Sequence, residues 1–188
     1  MQTILCVGGS ATLGVRSTRG YPEHIAQLLD GPLVCNRGIA GGRVIDVLRQ
    51  LPADLALVRR PDLLLVGLPL HDAQGGGTPP SELGALLAQM ADWGRACCGQ
   101  VVLCTPTPIG AAPMGPVRGF VRAARRWVPK GAQVVREVAA AYGLPVVEWA
   151  DMPVERLVDV AHPGPQGYRW MADRALPVVV QALASARG

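Results

Sequence analysis

Residues 61–72 read PDLLLVGLPLHD, and positions 63–68 of that stretch (LLLVGL) hold no polar side chain at all. A strand with one wet face alternates apolar and polar residues. An unbroken apolar run of this length instead predicts a strand buried on both faces, as in a parallel sheet covered by helices. The flanking sequence agrees. Shorter strand patterns occur at 3–7, 32–35, 101–104 and 144–148. Helical patterns fall between them, at 21–29, 43–59, 81–97, 117–128 and 133–142, with a last one at 166–184. The 43–59 segment carries Val44, Val47, Leu48, Leu51 and Leu55 on one face, Ser81 can cap the next helix, and Gly143 can stop the one ending at 142. Strands alternating with helices imply βαβ units. The expected fold class is therefore α/β, a three-layer α/β/α domain with a central five-stranded parallel sheet, spanning residues 1–188 as a single domain.

Composition limits the function. The chain has 188 residues, 49% hydrophobic and 17% charged, which suits a folded domain with a proper core. Aromatic residues make up only 4%, so Leu, Val, Ala and Ile must build that core. A net charge of +4 with no long basic run argues against nucleic acid as a partner. The five cysteines form no CxxC pair, so neither zinc nor any other metal is expected, and a reducing cytoplasm is the simplest home. No signal-peptide pattern or membrane-length apolar run is present, so no membrane association is expected.

Chemistry first suggests itself at Ser10. It follows the first strand inside a turn with Gly8, Gly9 and Gly14, where a hydroxyl can stand clear of the backbone. A phosphate-binding turn is the competing reading, but GGSATLG fits neither GxGxxG nor the Walker pattern. A serine needs a base to become a nucleophile. Near the other end, Asp159-Val160-Ala161-His162-Pro163 places an acid three residues before a histidine, between the last strand and the last helix. Such a carboxylate can hold the imidazole Nδ1–H and leave Nε2 free to take the serine proton. A solvated loop with Asp159 capping a turn is the alternative. His24 is expected on the surface, and Thr12 is expected to satisfy backbone groups of the turn.

Four blocks, ILCVGGSATLG, NRGIAGG, PDLLLVGLPLHD and DVAHPGPQGYRWMA, resemble in order and spacing the blocks of the SGNH hydrolases, also called the GDSL esterase/lipase family. The resemblance covers nearly the whole chain. It implies the flavodoxin-like SGNH fold, no cofactor, and a small-molecule acyl ester or thioester as substrate. It implies a triad matched by Ser10, His162 and Asp159, and an oxyanion hole matched by the Ser10 N–H and Gly41, with Gly42 as the fallback. The family's third oxyanion donor is an asparagine, and here His71 stands at that position, before Asp72. The chain departs further with Gly9 in place of an aspartate and Pro69 in place of a glycine. A histidine can donate one N–H to an oxyanion, whereas losing a donor outright costs about 3–4 kcal/mol. An imidazole there also makes the rate sensitive to pH near neutrality.

Leu13, Leu70, Ile109 and Met114 are expected to bind the substrate's acyl side, although the 107–115 stretch also reads as a rigid loop. Arg118, Arg122 and Arg125 recur at helical spacing and form either a solvated face or a dock for an acidic carrier protein. Three activities follow from these residues: hydrolysis through an acyl-enzyme, acyl transfer through the same intermediate, or binding without turnover.

Overall fold

A computed structural model describes residues 1–111 and 117–186. Its sheet has five strands: β1 (Thr3–Gly8), β2 (Leu33–Gly38), β3 (Leu63–Gly67), β4 (Gln100–Cys104) and β5 (Val146–Val147). Their order is β2-β1-β3-β4-β5, and every neighbouring pair is parallel. Six helices cover it: α1 (Ser10–Leu13), α2 (Tyr21–Leu28), α3 (Val44–Val58), α4 (Pro80–Cys97), α5 (Arg118–Tyr142) and α6 (Pro165–Ser185). The three-layer parallel architecture read from the sequence is the one observed.

The sheet's two faces belong to two separate cores. Leu5, Val7, Leu64, Val66, Val101 and Leu103 point toward α3, α4 and α5. Ile4, Cys6, Leu63, Leu65, Val102 and Cys104 point toward α2 and α6. All of β3 is buried, with relative exposures of 0–2% from Leu63 to Val66. That is why no polar alternation appears in its sequence.

Most boundaries shift by a residue from the sequence reading, and three differences are larger. β2 runs on through Asn36 and Arg37 to Gly38, because β1 supplies a pairing partner as far as Gly8. β5 shrinks to two residues, paired only with Leu103 and Cys104. The two helical patterns at 117–128 and 133–142 join into the single helix α5, with Pro129 in its interior. A proline there forfeits one backbone hydrogen bond. Buried residues nevertheless continue at helical spacing on both sides of it, through Val121, Ala124, Val128, Ala132, Val135 and Ala139. Packing of that continuous face outweighs the lost bond.

The carboxyl ends of β1, β2, β3 and β4 open onto one edge of the sheet, where folds of this kind gather ligands. α1 begins directly after β1, and a 3₁₀ turn (Leu70–Gly76) begins shortly after β3.

Candidate active site

Ser10 opens α1, just after Gly8 and Gly9. Space requires the first glycine and favours the second. A Cβ on Gly8, where φ is +155°, would lie 2.2 Å from the Thr12 hydroxyl. One on Gly9 would lie 3.0 Å from Cβ of Pro69. The two departures noted at Gly9 and Pro69 thus face each other: with a proline just past the end of β3, a side chain at position 9 would fit only if its neighbour gave way by a few tenths of an ångström.

The Ser10 turn is fastened by a network that sequence reasoning missed. The Asn36 side chain donates to the Thr12 carbonyl at 2.9 Å and to Glu23 at 2.8 Å, and accepts the Gly38 N–H at 3.1 Å. Glu23 in turn accepts the Gly20 N–H at 2.8 Å. Thr12 does not serve the backbone with its hydroxyl, which is buried against the Tyr21 hydroxyl at 3.1 Å. His24 is not a surface residue either. It is half-buried against α6, both ring nitrogens are enclosed without a partner among the described residues, and burial followed by Arg169 and Arg19 lowers its pKa.

Asp159 and His162 sit in a tight loop between β5 and α6. Leu157 and Pro163 pair across it as an antiparallel bridge, and the Val158 N–H donates to the His162 carbonyl at 2.9 Å. Within the loop Asp159 Oδ1 accepts the N–H groups of Ala161 at 2.9 Å and His162 at 2.8 Å. The His162 Nδ1 lies 2.9 Å from Asp159 Oδ2, and its Nε2 lies 3.2 Å from Ser10 Oγ. The chain of contacts Ser10–His162–Asp159 is continuous across 152 residues of sequence. Partial burial would raise the Asp159 pKa, but the Ala161 and His162 backbone N–H groups and the His162 ring outweigh it and hold the carboxyl at about 2.

Two further contacts tie the halves together. Arg16 Nε donates to Asp159 Oδ2 at 3.3 Å from a left-handed backbone, with φ +71°. The Tyr168 hydroxyl, on α6, donates to the Val15 carbonyl at 2.8 Å. Neither residue stood out in the sequence, because each bond joins segments more than 140 residues apart.

Opposite the serine lies a turn over 39–42. The Gly42 N–H donates to the Ile39 carbonyl at 3.1 Å, and Gly41 takes φ +68°, as the third position of a type II turn demands. The Gly42 N–H is therefore spent, while the Gly41 N–H makes no hydrogen bond among the described residues. A Cβ at Gly41 would stand 3.9 Å from His71 Nε2. His71 rides on the 3₁₀ turn, whose buried Asp72 accepts the Val44 N–H at 2.9 Å and the Thr78 hydroxyl at 2.6 Å. Burial raises the Asp72 pKa against those two bonds. Trp127 Nε1 holds the far end of the turn through the Thr78 carbonyl at 3.2 Å.

Ser10, Gly41, Leu70, His71, Phe120 and His162 line one cleft of about 740 Å³. Leu13 and Ile109 lie elsewhere. Leu13 is 44% exposed on the outside, because the backbone of its turn, and not its side chain, packs against Gly38. Ile109 belongs to the core under α5 and does not line the cleft. Met114 falls outside the described residues. Arg118 and Arg122 are exposed, with no ion pair among the described residues. Arg125 is exposed as well but engaged: it donates to the Gly110 carbonyl at 3.0 Å, and the Gly110 N–H donates to the Val160 carbonyl at 3.0 Å, beside Asp159. Among the described residues no group of three or more His, Cys, Asp or Glu side chains could hold a metal ion, and no helix is long and apolar enough to cross a membrane.

The GDSL-like Lipase/Acylhydrolase family matches residues 6–170. No curated protein matches the chain. Among solved structures, a carbohydrate acetylesterase family member from Sinorhizobium meliloti is similar with a TM-score of 0.87 and 17% identity, covering 98% of this chain and 100% of its own. The aryl esterase of M. smegmatis is similar with a TM-score of 0.84 and 17% identity, covering 97% and 100%. An acetylxylan esterase from Geobacillus stearothermophilus follows with a TM-score of 0.76 and 19% identity, covering 97% and 94%.

Proposed function

This chain belongs to the GDSL-like lipase/acylhydrolase family, and from that premise we propose how its own residues carry out serine-dependent ester hydrolysis. The substrate is a small-molecule ester or thioester. Ser10 Oγ attacks the carbonyl carbon as His162 Nε2 takes its proton. Asp159 fixes the ring tautomer and stabilises the imidazolium. The N–H groups of Ser10 and Gly41, joined by a ring N–H of His71, stabilise the oxyanion. His162 returns the proton to the leaving group, and water then releases the acyl group from Ser10 by the same steps in reverse.

One observation carries this assignment: Nε2 of His162 lies 3.2 Å from Ser10 Oγ while its Nδ1 is held by an acid that is already ionised. The Gly41 N–H, free among the described residues, favours that glycine over Gly42 as the backbone donor. A fluorophosphonate probe tests the assignment. Labelling of the wild type that vanishes in Ser10→Ala is expected, and equal labelling of the two overturns it.

A second reading is acyl transfer from an acidic carrier protein docked on Arg118, Arg122 and Arg125. The exposed guanidinium groups of Arg118 and Arg122, without an ion pair among the described residues, favour it, since they lie on the helix whose start, with Val117 and Phe120, lines the cleft. Arg125 contributes less, because it is engaged with Gly110. Hydrolysis that is indifferent to a second acceptor, and to Arg122→Glu, rules the transfer reading out.

A further inference from the structure

Thr107 buries a hydroxyl beside the reactive serine and leaves it unused. The residue is 3% exposed, and its Oγ1 makes no hydrogen bond among the described residues. Its neighbours on the same sheet edge behave differently. Thr12 meets Tyr21, and Thr105 Oγ1 accepts the N–H groups of Trp149 at 2.8 Å and Ala150 at 3.0 Å. A buried hydroxyl without a partner is costly, and an apolar residue of the same shape would avoid the cost. Among the described residues folding gives Thr107 no partner, which leaves its hydroxyl open to one from outside the chain.

The surroundings of Thr107 say what size that partner is. With Gly9, Ser10, Pro69, Leu70 and Ala161 it lines a chamber of about 10 Å³, room for a single water-sized group. Ser10, Leu70 and Ala161 also line the large cleft, so chamber and cleft meet at the serine. An acyl group on Ser10 Oγ therefore finds ample space on the Gly41 and Phe120 side and space for one further heavy atom on the Thr107 side. Pro69 and Leu70 form an apolar wall there. Of the polar side chains that line the chamber, Thr12 is engaged with Tyr21, Trp149 with Met171 and Ser10 with His162, which leaves Thr107 as the hydroxyl without a partner among the described residues.

We propose that the chamber is a site for one hydroxyl-type oxygen, held by Thr107 next to the reacting carbon, and that it makes the enzyme select 2-hydroxyacyl esters. The substrate's hydroxyl completes the hydrogen bond that the fold leaves open. When an acyl group lacks that hydroxyl, a single water supplies the oxygen. The substrate half of this inference rests on Ser10 being the nucleophile, and the oxygen site itself does not.

Phenyl hydroxyacetate and phenyl propanoate differ by a hydroxyl in place of a methyl, and their kcat/KM ratio reads the site directly. Wild type is expected to favour the hydroxyacetate by about tenfold or more. Thr107→Val should erase or invert the preference, and Thr107→Ser should keep it. A high-resolution crystal structure of the unliganded wild type provides a second arm that needs neither a variant nor activity. An ordered oxygen within hydrogen-bonding distance of Thr107 Oγ1, together with no preference between the two esters, assigns the site to water and overturns the selection of 2-hydroxyacyl groups. No ordered oxygen and no preference overturns the whole proposal. If the protein hydrolyses neither ester and Ser10 resists the fluorophosphonate, the proposed catalytic role of Ser10 has failed, and the crystallographic arm still decides the oxygen site.

Discussion

The two halves of the site are built on opposite principles. On the side of Ser10, His162 and Asp159, the groups that move a proton are already joined to one another. On the side of Gly41 and His71, the Gly41 N–H and the imidazole have no hydrogen-bond partner among the described residues, although the segments carrying them are fastened by Asp72 and by the turn over 39–42. A proton relay must be connected before substrate arrives, because its geometry sets the tautomer. Donors that stabilise an oxyanion must instead be held rigid and left vacant, since a donor already spent on the protein gives nothing to the transition state.

The contrast predicts unequal sensitivity. Breaking the connected half removes the reaction: Ser10→Ala or His162→Ala is expected to lower kcat by about 10⁴-fold or more, in steady-state assays with an activated ester. Their combination should cost little beyond either alone, because the residues act as a unit. The vacant half should degrade in steps. Gly41→Ala forces a side chain into φ +68° and displaces the N–H, so a loss of about 10²–10³-fold in kcat is expected, with KM changed much less. His71→Ala should lose about 10²-fold and His71→Asn should recover most of it, because the amide restores one donor. Equal rates and pH profiles for wild type, His71→Ala and His71→Asn would remove His71 from the oxyanion hole and leave two backbone donors.

Much of this was legible in the sequence, for physical reasons that also mark its limits. The strand at 63–67 reads correctly because burial on both faces leaves a compositional trace. Ser10, Asp159 and His162 are recognisable because a turn glycine, a base and an acid need particular spacings. What escaped depends on distant partners. Asn36 and Arg16 matter through bonds to Thr12 and Asp159, and no local pattern announces either. The ends of β2 and β5 follow from pairing register and not from propensity. Leu13, in the Ser10 block, and Ile109, in the apolar 107–115 stretch, are read from the sequence as substrate-binding, yet neither a place in a motif nor apolar character sets where a side chain points. Thr107 lies in a stretch that reads simply as apolar, and only burial without a partner singles it out.

Smaller effects probe how firmly the connected half is held. Asp159 has a folded pKa of about 2, below the unfolded value near 3.9, so its ionised form is the one that folding favours. A depressed carboxyl stabilises the protein fully above the unfolded value and loses that contribution as pH falls through the folded one. The difference in unfolding free energy between wild type and Asp159→Asn should therefore be constant above about pH 5 and close as pH approaches 2. Denaturant titrations at several pH values measure it, and a difference independent of pH would mean that the hydrogen bonds to this carboxylate do not stabilise the fold. Arg16 should matter least. Its side chain is 65% exposed and reaches Asp159 at 3.3 Å, while the carboxylate already has two backbone N–H donors and the imidazole. Exposed pairs of this kind contribute about 0.2–1 kcal/mol, so Arg16→Ala is expected to change kcat by no more than about fivefold. A loss approaching that of His162→Ala would show that the relay is not self-sufficient and that the left-handed Arg16 is part of what holds it together.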